Sequence, residues 1–269
     1  MNTFPTGKPH VSYSEIRNWH ECSWRHKLLY IDKIDVQKPS PNLYFGTLVH
    51  AECESYLVNR TFDLERLESA IRRVWSDNSF EDVESWVKSA RQAVEEVPEF
   101  LESEFPGWEV MAAEHPLYEQ IENELEIKFK GFVDGMIKYK DKKGKEMLAI
   151  IDWKTSGPGG WNAEKRRDML VQAQLALYKI FCSKKLEIDH KEIRCFFVLL
   201  KRNVKKGKSC EIIPISVGPK TVEKSNKLVT SMISGVRTGR ALKNFSACKF
   251  CDYKGTPHCK GSENVYLER

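Results

Sequence analysis

The stretch "IIDWKTS" at residues 150–156 brings an aspartate and a lysine two positions apart after an apolar, β-branched approach. In an extended strand successive side chains point to opposite faces, so Asp152 and Lys154 share one face and Trp153 takes the other. A second carboxylate, Asp134, stands in "KGFVDGM" between Gly131 and Gly135. If both segments are neighbouring strands of a meander, about 5 Å apart, Asp134 can face Asp152. Two carboxylates that close repel each other unless a cation lies between them, and hard oxygen ligands suit Mg2+ or Mn2+. A metal that activates water beside a lysine that stabilises an oxyanion is equipment for phosphodiester hydrolysis. Read alone, an Asp-x-Lys pair on a strand is more often a surface ion pair than a reaction centre.

A second group of candidate ligands is the run "ACKFCDYKGTPHCKG", which supplies Cys248, Cys251 and Cys259. Three thiolates leave a four-ligand site one short, and Cys22 in "HECSWRHKLLY" is the natural fourth. The spacing alone serves a structural zinc, with His258 as a substitute ligand, as well as an iron–sulfur cluster. The other cysteines, 53, 182, 195 and 210, sit in apolar helical or strand-like surroundings and read as small buried residues. No disulfide framework is expected in a reducing compartment.

The elements that must position these groups follow from periodicity. "VSYSEIRNWHECSWRHKLLYIDKI" opens with serines able to cap a helix and carries an apolar stripe through Ile16, Trp19, Leu28, Leu29 and Ile31. "FGTLVHAECESYLV" reads as a second helix after the loop "KPSPN", and residues 63–75 and 81–103 as two more. From Trp108, "EVMAAEHPLYEQI", "LEIKFKGFVDGMIKYK" and "EMLAIIDWKT" form three consecutive strands. "NAEKRRDMLVQAQLALYKIFCS" returns to helical spacing. "EIRCFFVLL" and "SCEIIPISV" are two further strands, and a helix over 219–236 precedes the cysteine-rich tail. The expectation is one mixed α/β (α+β) domain over 1–269, with a mixed central sheet flanked by helices. It divides into a helical N-terminal region over 1–107, a catalytic core over 108–218, and a C-terminal helix and cluster-binding tail over 219–269.

The motifs taken together resemble the PD-(D/E)XK nuclease superfamily in its RecB-type branch. That pattern runs G-x-x-D, then D-x-K, then Q-x-x-x-Y; here Gly131 with Asp134, Asp152 with Lys154, and Gln174 with Tyr178 stand in order. The branch also places a histidine on an upstream helix, where "FGTLVH" supplies His50. The resemblance implies a restriction-endonuclease-like core in which His50, Asp134, Asp152 and the backbone carbonyl of Trp153 bind the metal. Lys154 would polarise water or stabilise the phosphate, and Gln174 and Tyr178 would orient the site or touch DNA. Glu114 is a candidate for supporting the metal from the edge of the first strand. Cys22, Cys248, Cys251 and Cys259 resemble the ligands of a 4Fe–4S cluster in iron–sulfur RecB-type nucleases such as AddB and the CRISPR adaptation nucleases. That family typically has proline after the first cysteine, where this chain has Ser23. The cluster would act as a staple, since joining positions 22 and 248 closes a long loop.

Bulk properties agree with such a protein. The 269 residues are 41% hydrophobic and 30% charged, with net charge +5. No apolar run approaches the roughly 20 residues that span a bilayer, the start lacks a secretory apolar segment, and a cytoplasmic protein without membrane partners is expected. There is no GxxxxGK[ST] loop, which argues against an ATP motor. Residues 81–126 carry 14 acids against two bases, and residues 179–210 carry ten Lys or Arg against three acids. The basic stretch 184–208 and Trp161, in the loop "TSGPGGW", are therefore expected to form a nucleic-acid path. The function expected is a stand-alone exonuclease on single-stranded or end-exposed DNA. The alternative is a catalytically silent DNA-binding or assembly subunit with a structural zinc or iron–sulfur site.

Overall fold

The computed structural model describes residues 4–261, so residues 1–3 and 262–269 of the expected domain lie outside the described residues. In chain order the elements are β1 (His10–Ser12), α1 (Tyr13–Glu21), α2 (Ser23–His26), a π-helical turn Lys27–Ile31, α3 (Pro41–Asn59), α4 (Leu64–Asp77) and α5 (Val83–Glu104). Then come β2 (Glu109–Gln120), β3 (Lys128–Lys140), β4 (Glu146–Ser156), α6 (Ala163–Arg167), α7 (Met169–Leu186), β5 (Ile193–Lys201), β6 (Cys210–Ile215) and α8 (Pro219–Arg237). Among the described residues two compact units emerge: one formed by residues 4–38, 118–131 and 222–261, the other by 39–117 and 132–221.

In the larger unit, β3 and β4 pair antiparallel, β4 and β5 parallel, and β5 and β6 antiparallel, while β2 pairs with β3. The parallel step needs a crossover, and α7 supplies it. This is the expected mixed α/β architecture, a mixed sheet flanked by helices. Alternation along β4 decides what each face does. Ala149, Ile151 and Trp153 join Phe45, Val49, Trp75, Val94 and Leu101 of α3, α4 and α5 in one core cluster. Asp152, from the other set of positions, meets Gln174 of α7.

Two glycines set how closely α3 lies on the sheet. A Cβ at Gly135 would stand 2.7 Å from Leu57 Cδ1, and one at Gly46 would stand 3.3 Å from Thr155 Oγ1. Gly46 lies one helical turn before His50, so this close approach carries the histidine towards the end of β4. Helix α3 itself starts earlier than "FGTLVH", with Pro41 in its first turn, where a missing N–H costs nothing.

The single helix expected over "NAEKRRDMLVQAQLALYKIFCS" is two helices. Asp168 adopts ψ 118° and its carboxylate accepts from Leu170 N–H at 2.8 Å, which caps α7 and ends α6. The three-residue β1 was not expected at all.

In the smaller unit β1 pairs parallel with the start of β3, from His10 opposite Lys128 to Ser12 opposite Lys130. Ser12 caps α1 as expected, accepting from Glu15 N–H at 3.3 Å. Ile16 and Trp19 form its buried stripe, and Trp19 packs so closely on α8 that a Cβ at Gly235 would stand 2.2 Å from its ring. Among the described residues no helix is long and apolar enough to cross a membrane.

Candidate active site

Asp152 is fully buried. Its Oδ1 accepts from Gln174 Nε2 at 2.6 Å, and its Oδ2 lies against the Lys154 ammonium without a well-directed hydrogen bond. The β3–β4 ladder runs to Gly135 opposite Ile151, which sets Asp134 level with Asp152 at the next step. There the side chain takes over from the backbone, and Asp134 Oδ2 accepts from Trp153 N–H at 2.9 Å. Burial first, and then the Asp152 charge, push the Asp134 carboxyl well above the usual carboxylate range. Burial also raises Asp152, against the opposing pull of Lys154 and Gln174. Two acids in this state, Asp152 fully and Asp134 partly buried, form a site with a deficit of positive charge.

His50 brings an imidazole to the same region. Its Nε2 is buried without a hydrogen-bond partner. Burial, aided by the Lys154 charge, lowers its pKa to about 4, so the ring is neutral and its lone pair available near pH 7. Lys154 has 31% of its side chain exposed, and its ammonium lies 5.7 Å from the centre of the Phe197 ring, while His50 and Asp134 are also partly exposed. Gln174 is itself buried, and its Nε2 also donates to Tyr178 Oη at 3.2 Å. The i,i+4 pair on α7 therefore points into the protein and holds Asp152.

The sequence expectation missed Glu54. It stands one turn beyond His50 on α3, and burial together with Glu114 raises its pKa to about 7. Glu114 sits at φ 46°, an uncommon conformation for a side-chain-bearing residue in a strand. The signal for Glu54 was the i,i+4 spacing from His50 within "HAECE". Among the described residues, no three His, Cys, Asp or Glu side chains are drawn tightly enough together to hold a metal ion as they stand. The donor types nevertheless suit a hard divalent cation: a buried carboxylate, a partly buried one, and an imidazole whose Nε2 has no hydrogen-bond partner.

The family model of the PD-(D/E)XK nuclease superfamily matches residues 10–256. The chain belongs to that superfamily. Its fold is similar to that of a crystal structure of a "Putative exonuclease" from Eubacterium rectale, at 15% identity and TM-score 0.55, covering 100% of this chain and 93% of that one. The crystal structure of SSO0001 also matches, at 16% identity and TM-score 0.36, over 81% of this chain and 85% of that one. No curated protein matches.

In this PD-(D/E)XK chain the cysteines form a second constellation, inside the smaller unit. Cys22, Cys248, Cys251 and Cys259 line one pocket with Trp24, Phe245 and Tyr253. Burial and the neighbouring Cys251, Cys259 and Cys22 thiols raise the Cys248 pKa. The four cysteines thus line one pocket, although among the described residues no three of them stand close enough to hold a metal ion as placed.

Two expectations about the nucleic-acid path are corrected. Trp161 is not an exposed stacking residue: it is buried against Phe197, with ring centres 5.0 Å apart. Nor is 184–208 one continuous path. Lys184, Lys185 and Lys191 precede β5, whereas Lys201 to Lys208 lie at its end. Nine extended residues put roughly 30 Å between those groups. Only the later group lies at the end of β5 where Leu199 pairs with Lys154. Even there Lys201 is paired with Glu211 and Arg202 stacks on Trp86 at 3.8 Å.

Proposed function

We propose that the chain is a metal-dependent DNA nuclease acting as an exonuclease on single-stranded or end-exposed DNA. The observation that supports this reading is the pairing of Lys154 with Asp152 and of Asp134 with the Trp153 amide on neighbouring strands of a PD-(D/E)XK chain, with His50 close enough to feel the Lys154 charge. His50, the two aspartates and the Trp153 carbonyl would hold Mg2+ or Mn2+, which when bound supplies a Lewis acid for the scissile phosphate and its attacking water. Lys154, partly exposed above Phe197, places a positive charge where the phosphate gains negative charge. Gln174 fixes the Asp152 carboxylate, and Tyr178 fixes Gln174. The exonuclease assignment is supported by the RecB-type motif order and by the absence of a P-loop in the sequence.

The four cysteines are proposed to bind a 4Fe–4S cluster that closes the smaller unit. The common pocket and the RecB-type spacing support it. Purified anaerobically, such a protein is brown, absorbs at about 400 nm and contains iron and sulfide. A colourless protein with stoichiometric zinc replaces the cluster with a structural zinc.

The test of the nuclease reading is digestion of 5′- and 3′-labelled single- and double-stranded DNA with Mn2+, comparing the wild type with Lys154→Ala. Cleavage is expected to fall at least about a hundred-fold in the variant. Cleavage at the wild-type rate removes the proposed centre.

A further inference from the structure

We infer that the surface of the cysteine-bearing unit around Trp24, Lys243 and Phe250 binds an unpaired nucleic-acid strand. Phe250 lies between Cys248 and Cys251 and is 86% exposed, so it adds nothing to the core that would account for a phenylalanine there. Phe245, on the same short 3-10 turn, is 42% exposed. These rings are accompanied by cations. Lys249 Nζ stands 5.5 Å from the Phe250 ring centre, and Lys27 and Lys243 each stand 5.5 Å from the Trp24 ring centre.

The platform is also held in place. Trp24 Nε1–H donates to the His258 carbonyl at 3.1 Å, and Lys243 Nζ donates to the Lys260 carbonyl at 2.6 Å. Both bonds tie the early helix region or the segment after α8 to the cysteine tail, so the Trp24 and Lys243 side chains have little entropy left to lose on binding. Residues 240–261 carry five Lys or Arg against the single acid Asp252. Positive charge of this density is complementary to a phosphate backbone. Exposed ring faces add a requirement that charge alone does not. A duplex hides its base faces and an acidic peptide has none, whereas a single strand offers phosphates and stackable bases together.

Nucleic acid as the occupant rests on the nuclease reading, so binding is measured apart from cleavage. The full-length protein is titrated in EDTA against a fluorescein-labelled oligothymidylate about 16 nucleotides long. Phe250→Ala is expected to weaken binding at least about five-fold, and Phe250→Trp to restore it. An abasic strand of equal length should bind the wild type as weakly as the oligothymidylate binds Phe250→Ala. Equal affinity of wild type and Phe250→Ala, or of the abasic and base-bearing strands, overturns the inference, as does a protein that binds polyglutamate but not the oligonucleotide. Hydrolysis of bis(p-nitrophenyl) phosphate with Mn2+ separates the two readings. Lys154→Ala should lose it while keeping oligonucleotide affinity, and Phe250→Ala should keep it. Hydrolysis retained by Lys154→Ala would sink the active-site reading and leave this surface standing.

Discussion

Gln174 offers the sharpest test of how the candidate centre is held. The RecB-type resemblance left two roles open for it, orienting the site or touching DNA, and the geometry favours the first. Its amide is buried and donates at 2.6 Å to Oδ1 of a carboxylate with no solvent exposure. Gln174→Leu removes that donor while nearly conserving volume, so the cost is electrostatic rather than a cavity. A hydrogen bond to a charged group contributes about 1.5–3 kcal/mol. The metal-free protein should therefore lose about 2 kcal/mol, or roughly 4–8 °C in melting temperature for a chain of this size. Asp152 freed on one side also moves relative to Asp134 and Lys154, and a displacement of about 1 Å at such a centre costs on the order of a hundred-fold in turnover. Tyr178→Phe, which removes only the hydroxyl that accepts from the Gln174 amide at 3.2 Å, should cost less than Gln174→Leu in both measurements. The assays are thermal melting in EDTA, Mn2+-dependent turnover, and oligonucleotide affinity by anisotropy. Wild-type melting and turnover in Gln174→Leu, or a loss of DNA affinity with turnover intact, would refute the orienting role.

Two other positions give independent checks. Gly235→Ala puts a methyl group 2.2 Å from the Trp19 ring, and neither α1 nor α8 can yield without exposing buried surface. Overpacking of about 1–3 kcal/mol is expected, visible as a lower urea midpoint and faster proteolysis, and an unchanged midpoint would contradict the close approach of those helices. Trp161→Ala should cost about 3–5 kcal/mol because the indole is buried on Phe197, while leaving oligonucleotide affinity of the folded protein unchanged. A variant of normal stability with weakened binding would reinstate Trp161 as a stacking residue.

What could be read from the sequence, and what could not, divides along a physical line. Local geometry was legible. The two-residue period of a strand put Asp152 and Lys154 on one face, the meander put Asp134 beside them, and the helical period aligned Gln174 with Tyr178. Each of those inferences needs only neighbours in the chain or in an adjacent strand. The errors arose where composition stood in for long-range packing. "TSGPGGW" reads as a mobile loop with an exposed ring, yet the chain turns at Gly160, with φ 65°, and lays Trp161 on a side chain of β5. Ten basic residues in sequence look like one patch, but a nine-residue strand runs between them and carries the two ends apart. Glu54 was overlooked for the opposite reason. Its four-residue offset from His50 is a local signal, but the partner that raises its pKa, Glu114, comes from a strand about 60 residues later. A carboxylate acquires an unusual state from burial and from charges brought by other elements, so spacing can nominate such a residue while only the folded arrangement gives it an environment.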